Sequence, residues 1–180
     1  CAEAEVVKMM NPMELHGYSP STTIPSVRRA VAESLNRRFG MCYGMEHIFM
    51  TTGAAGALAH ALRAVTKPGD TVLTFAPFFP EYMPYVEGTG AKLSVVPAHT
   101  SDFQIHFEAL EQMLTPDVMA VLINTPNNPS GVVYSEKTIE QLAELLRAKE
   151  KRPLHIVKVQ RTRSSRGTTS IYRLRGLTGH

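Results

Sequence analysis

Residues 118–131 read VMAVLINTPNNPSG, an apolar run that passes directly into a loop rich in asparagine and proline. Its first six residues have the length and composition of a buried strand. Residues 135–150 follow with apolar side chains at helical spacing, at Ile139, Leu142, Ala143 and Leu146. Such a loop can be a plain strand-to-helix turn. In an open α/β sheet, however, ligands bind at the carboxyl ends of the strands, which gives the asparagines a candidate role.

The rest of the chain repeats this alternation of strand and helix. Strands are predicted at residues 47–51, 71–75, 91–97, 118–123 and from 154 onward. Helices are predicted from Pro25 or Ser26 to Gly40, from Gly53 to about Pro68, soon after Phe79, from Phe107 to Leu114 and over 135–150. In the first helix we expect an inner face of Val27, Ala30, Val31 and Leu35. The order predicts an α/β fold with three layers, a mostly parallel sheet with helices on both faces.

Bulk composition is that of a soluble globular chain, with 43% hydrophobic and 19% charged residues among 180. No apolar run approaches the roughly 20 residues that cross a bilayer, so we predict no membrane contact. The start lacks the basic and apolar regions of a secretory signal, and it is Cys1 rather than methionine, from which we expect a fragment. Two cysteines, Cys1 and Cys42, form no disulfide framework, which favours a reducing, cytoplasmic location.

No metal site is predicted from the histidines. Their spacing matches no zinc motif, and we interpret them as surface or packing residues. The seven are His16, His47, His60, His99, His106, His155 and His180.

Charge is distributed unevenly along the chain. Residues 151–180 hold eight of the 19 basic residues and no acid, so residues 1–150 hold 11 basic and 16 acidic ones. We expect residues 158–180 to be a basic, disordered tail, since they offer little apolar surface to offset the entropy of ordering. The abrupt change also suggests a shifted reading frame from about residue 158. A non-catalytic protein whose basic tail binds nucleic acid is the alternative, weakened because its arginines alternate with Ser and Thr rather than with stacking aromatics.

Three groups of residues could carry chemistry, each beside a predicted strand end. Small residues at Gly53, Ala54 and Ala55 open a helix, where bare backbone N–H groups and the helix dipole suit an anion such as phosphate. Phe79 follows a strand and could stack on a planar ring. Asn128 offers an uncharged amide to a ligand oxygen. Taken singly, each also fits ordinary packing.

In this order the three groups resemble the class I and II aminotransferases, pyridoxal-phosphate enzymes of fold type I, and the likeness covers about residues 11–157. It implies that pyridoxal 5'-phosphate lies with its phosphate on the Gly53–Ala55 backbone, its ring against Phe79 and its ring hydroxyl near Asn128. It implies that Tyr18 reaches the phosphate of a neighbouring subunit, and therefore a homodimer. The Asn128–Pro129 peptide is expected to be cis, as in similar loops of that family.

The resemblance also implies groups that have no counterpart here. These are the acidic residue beside the ring nitrogen, the lysine that forms a Schiff base with the cofactor, and the arginines that bind phosphate and substrate. We therefore assign no catalytic residue and expect the fragment to be inactive alone. The division predicted is an arm at residues 1–20, a partial large cofactor-binding domain at 21–157, and the tail at 158–180.

For the complete protein the resemblance implies transfer of an amino group between an amino acid and a 2-oxo acid. Other fold-type I enzymes, such as lyases and decarboxylases, share these motifs and remain open as alternatives. Which amino acid serves as substrate is not readable from the residues present.

Overall fold

A computed structural model describes residues 23–148, 155–164 and 167–176, together with Lys8 and Tyr18. Apart from those two residues, the predicted arm at 1–20 lies outside the described residues. The chain divides into two units, Cys1–Thr51 and Thr52–His180.

In the first unit, helix α1 spans Pro25–Phe39 and has the predicted ends. Proline stands at its start, where its missing N–H and fixed φ are harmless. Gly40 ends it with φ 61° and donates its N–H to Asn36 O at 2.9 Å, a left-handed cap that favours glycine.

The predicted inner face of α1 is wrong for two of its four residues. Val27 and Ala30 are exposed, and the buried residue is Ala32. Val31 and Leu35 are half-buried, and so is Arg28. Arg28 donates Nε–H to Ile48 O at 2.9 Å, and its Cζ lies 5.9 Å from the centroid of the Phe49 ring. A guanidinium on a long apolar stem can pack inward while its donors are satisfied, so this face includes a charge that a hydrophobic pattern excludes.

The predicted strand at residues 47–51 is also wrong. Met45–His47 forms a 3-10 turn, and residues 48–50 have no regular structure. Nearby, the Asn36 amide bonds both backbone groups of Tyr43, accepting from its N–H at 2.8 Å and donating to its carbonyl at 2.9 Å. The Asn36 side chain thus satisfies backbone groups of Tyr43, shortly before this segment. A strand would instead need a neighbouring strand to satisfy its backbone groups.

The second unit is built on a five-stranded sheet. Its strands are β1 Thr71–Phe75, β2 Lys92–Val96, β3 Val118–Asn124, β4 His155–Ser164 and β5 Gly167–Gly176. Their order is β2-β1-β3-β4-β5, with the first four parallel and β5 antiparallel to β4. The mostly parallel sheet is therefore confirmed.

Helices of the second unit form the layers on either side of the sheet. They are α2 Gly53–Val65, α3 Tyr82–Glu87, α4 Phe107–Met113 and α5 Glu136–Ala148. Alternate residues of β3 point to opposite faces: Ala120 and Leu122 pack with α2 and α3, whereas Val121 and Ile123 pack with α4 and α5. Burial on both faces explains the unbroken apolar run of β3 and confirms the three-layer α/β class. None of the helices in the described ranges combines the length and apolar character that crossing a membrane requires.

Residues 158–164 and 167–176, for which composition predicts disorder, are extended and paired in β4 and β5. The ladder from β3 continues through Ala120↔His155 to Asn124↔Val159, and Val157 is fully buried. Ladders use backbone groups that every residue except proline carries, so a polar composition does not prevent pairing. The division into arm, large domain and tail stays a prediction.

Candidate functional site

A cavity of about 700 Å³ opens where β1 and β3 end and α2 begins. Its size lies within the range of small-molecule sites. Three of the site predictions, the helix start, the aromatic residue and the asparagine, meet in it. The lining residues are Ala54, Ala55, Leu58, Phe79, Glu81, Tyr82, Tyr85, Asn124, Pro126, Asn127, Asn128, Pro129 and Gly131.

Two adjacent asparagines in the loop after β3 have different roles. Buried Asn127 shapes the loop: its Oδ1 accepts from Ser130 N–H at 3.2 Å and Ser130 Oγ–H at 2.8 Å, and its carbonyl accepts from Gly131 N–H at 2.8 Å. Asn128 is exposed, and its side chain has no hydrogen-bond partner within the described ranges. The Asn128–Pro129 peptide is cis, as predicted. The amide of Asn128 is thus available to a ligand.

Behind this loop, Tyr134 fixes its return to the body of the unit. Its N–H donates to Thr125 Oγ1 at 3.1 Å, and its ring meets Phe75 edge-on with centroids 6.4 Å apart. Burial raises the pKa of the Tyr134 phenol from its ordinary value. The phenol therefore stays neutral at physiological pH and serves packing.

The loop after β1 holds the aromatic wall. Phe79 is half-buried, and its ring meets Tyr82 edge-on at 5.8 Å and 74°. The carbonyl of Phe79 accepts from Tyr82 N–H at 3.0 Å, which begins α3, and Ala76 N–H donates to Val96 O at 2.9 Å. Backbone hydrogen bonds tie both ends of the loop, and the Phe79 ring packs against Tyr82 as one wall of the cavity.

The third wall is the start of α2. Ala54 and Ala55 line the cavity, while Gly53 precedes them with φ 73° and is not among the lining residues. The side chain of Thr52, the N-cap residue, makes no cap hydrogen bond to the start of the helix. Among the described residues, Glu81 is the one charged member of the lining, which contains no lysine or arginine.

Tyr18, the sixth predicted site residue, belongs to the first unit and is fully exposed. Its role stays a prediction. Outside the loop after β3, sequence reasoning gave no site role to four lining residues, Leu58, Glu81, Tyr82 and Tyr85. Within the loop, Asn124 is the buried last residue of β3 and lines the cavity at a strand end, the position where ligands bind in open α/β sheets. Leu58 belongs to α2 and the two tyrosines to α3, and no pattern indicated that they face the cavity.

The sequence profile described as "Aminotransferase class I and II" matches residues 2–155. The chain belongs to this family. It is similar to the aspartate aminotransferase of Thermotoga maritima, 33% identical over 154 residues. It is also similar to the aspartate/prephenate aminotransferase of Thermus thermophilus, 32% identical over 131 residues. A crystal structure of an amino transferase from Eubacterium rectale superposes with a TM-score of 0.83 at 42% identity.

Coverage of these family members is partial. The matches take in 85%, 71% and 87% of this chain but only 40%, 34% and 40% of the respective relatives. The chain therefore spans about two-fifths or less of their length. The three-layer unit corresponds to that part of the family fold.

Gly53 provides a first prediction on how this family member builds its site. Because φ is 73°, a Cβ there is strained although no atom lies within 4 Å of it, so Gly53→Ala should lower the free energy of unfolding by roughly 1–2 kcal/mol. Urea denaturation followed by circular dichroism measures the change. Thr52→Ala is the matched control, since its side chain makes no cap bond and its removal should change little. Equal effects of the two substitutions would contradict the assignment of strain to Gly53.

Proposed function

We propose that this chain is the cofactor-binding part of a pyridoxal-phosphate-dependent aminotransferase, which transfers an amino group between an amino acid and a 2-oxo acid. One observation carries the proposal: the start of α2, Phe79 and Asn128 line a single cavity at the carboxyl edge of the sheet. The family resemblance selects these same positions from the sequence alone.

The residues present fit the cofactor on three sides. The N–H groups of Gly53, Ala54 and Ala55 would receive its phosphate at the positive end of α2, a helix of 13 residues. Phe79 would lie against its ring, and the unpartnered amide of Asn128 would donate to its hydroxyl oxygen. When bound, pyridoxal phosphate supplies the electron sink for the substrate's reacting carbon.

The fit is weaker on the charged side. A phosphate carries nearly two negative charges near neutral pH, yet the described lining contributes Glu81 and no cation. The start of α2 is then the main attraction that this chain offers to the phosphate. We accordingly propose that further basic groups of the complete protein complete the site, and that this chain alone binds the cofactor weakly.

We further propose that the complete protein is a cytoplasmic homodimer in which Tyr18 reaches the partner's site. The first unit supports an interface, because large apolar side chains on it are exposed, namely Ile24, Val27, Phe39, Phe49 and Met50. Tyr18 itself is fully exposed, as expected for a residue whose contacts lie on another subunit.

Pyridoxamine 5'-phosphate is the sharpest probe of the cavity, since its amine cannot form a Schiff base with surface lysines. We expect the 180-residue chain to bind it more tightly than pyridoxamine, which lacks the phosphate. Asn128→Ala should weaken binding roughly two- to tenfold, the value of one net hydrogen bond. Isothermal titration of both ligands against both proteins provides the comparison.

Val133→Ala is the control, because Val133 is exposed just beyond the loop and does not line the cavity. Its affinity should equal that of the unmodified chain. Phe79→Ala should weaken binding as well, through loss of the stacked ring. Equal affinity for pyridoxamine 5'-phosphate and pyridoxamine would contradict the proposal. So would an affinity for pyridoxamine 5'-phosphate that neither Asn128→Ala nor Phe79→Ala changes, because either result would show that the cavity is not the cofactor site.

A further inference from the structure

Two histidines from the segment between β2 and α4 and a glutamate from the first turn of α4 converge. The donor atoms of His99, His106 and Glu108 all lie within 4.8 Å of one another. The two imidazole rings are 4.5 Å apart at 58°, and His106 Nε2 is 3.5 Å from Glu108 Oε2. None of the three lines the cavity described above. The proposed aminotransferase function therefore makes no use of them.

The backbone around these residues is well tied. An isolated antiparallel bridge pairs Ala98 with Ile105. It places His99 and His106 diagonally across the two segments and on the same face, where their side chains can meet. Phe103 N–H donates to His99 O at 2.8 Å, and His99 N–H donates to Gln104 O at 3.4 Å, which closes the loop between the histidines. Ile105 is buried in the core, which anchors the second side.

The start of α4 positions both His106 and Glu108. His106 is the N-cap of α4, and its carbonyl accepts from Leu110 N–H at 3.0 Å. Leu110 is fully buried and holds α4 to the sheet. Glu108 lies in the first turn, two residues after the cap. The three side chains thus project from a backbone that is held by hydrogen bonds and by core packing.

The distances suit a tetrahedral transition-metal ion. Ligand atoms bound to zinc at tetrahedral angles lie about 3.3 Å apart, close to the 3.5 Å between His106 Nε2 and Glu108 Oε2. His99 and Glu108 are exposed and His106 is half-buried, so rotation of side chains can close the longer separations of up to 4.8 Å. Imidazole nitrogen with one carboxylate suits zinc and its neighbours, whereas calcium and magnesium require mostly oxygen ligands.

We propose that His99, His106 and Glu108 form a binding site for a divalent cation of the zinc class, with the fourth position open to water or an external ligand. This differs from the sequence-based expectation of no metal site. The two histidines are seven positions apart, which matches no zinc motif; only the bridge and the closed loop bring them together.

Zinc titration of the full 180-residue chain tests the site, with Cys1 and Cys42 alkylated so that thiolates do not compete. Competition against a chromogenic zinc indicator should give one site per chain. His99→Ala and His106→Ala should each weaken binding at least about tenfold, since even an outer partner of a metal-bound histidine is worth that much. His60→Ala is the matched control, because His60 is exposed on α2 outside the cluster, and it should bind zinc unchanged.

A second measurement needs no variant and so is unaffected by any failure to fold. Diethylpyrocarbonate modification of the alkylated chain, followed by peptide mapping, should show that zinc protects His99 and His106 but not His60. Unchanged affinity in both histidine variants, or equal protection of all three histidines, would overturn the proposal. Neither readout involves pyridoxal phosphate, so failure here leaves the proposed aminotransferase function untouched.

Discussion

Borohydride reduction of the 180-residue chain with pyridoxal 5'-phosphate should label no single lysine stoichiometrically, and the chain should transfer no amino group at a detectable rate. The structural reason is that none of the lysines in the described ranges lines the cavity. Lys67, Lys92 and Lys137 are exposed on the surface of the second unit, where reaction with the aldehyde is scattered and slow. Peptide mapping by mass spectrometry, with an amino-donor assay on the same sample, measures both.

A longer protein supplies the contrasting case. Sequencing the encoding DNA through codons 158–180 and for about 750 bases beyond would reach the length of a full family member. If the sequencing reveals a shifted frame, the protein encoded by the restored frame should show one labelled lysine and measurable transfer. A stoichiometric label on any lysine of the 180-residue chain would contradict this prediction, because it would show that the chain itself supplies the lysine that forms a Schiff base with the cofactor.

The largest effect on stability is expected for Leu122→Ala in β3. Leu122 is fully buried in the core layer shared with α2 and α3, and truncation there leaves a void between sheet and helices. The free energy of unfolding should fall by about 2–5 kcal/mol. Urea denaturation monitored by circular dichroism measures this, with intrinsic tyrosine fluorescence as a second probe of cooperativity.

Val133→Ala is again the appropriate comparison, since it also removes apolar side-chain atoms but from an exposed position. Its effect should remain within about 0.5 kcal/mol. A loss below about 1 kcal/mol for Leu122→Ala would mean that this core layer is not formed as described. Because Asn124 follows two residues later, the same variant should also weaken binding of pyridoxamine 5'-phosphate.

Strands buried on both faces were the most predictable part of the fold. Residues 71–75 and 118–123 are short apolar runs bounded by turn residues, and the structure has strands there. The error at residues 47–51 has the opposite cause. Apolar residues occur there without a neighbouring strand in the described part of the chain, and the nearby backbone is satisfied by the Asn36 side chain, a pairing that no local pattern shows.

The site was predictable where chemistry is carried by residue type at a strand end, as for Phe79 and Asn128. The relative positions of side chains were not predictable where they depend on how hydrogen bonds close a loop. Residue type alone does not distinguish Asn127, which bonds Ser130 and shapes the loop, from Asn128, whose amide is available to a ligand; the family resemblance selected Asn128. The same holds for His99 and His106, whose proximity follows from the bridge between Ala98 and Ile105.

The position of β1 between β2 and β3 has a consequence for the protein as it is being made. Both of its neighbours come later in the chain, and the cavity needs the loop that ends at Gly131. At roughly 5–20 residues per second, a ribosome takes about 3–11 seconds to pass from Phe75 to Gly131. For that interval the nascent chain presents β1 with at least one unpaired edge and no ligand pocket. We therefore expect the nascent chain to bind the cofactor only after the segment up to Gly131 has emerged.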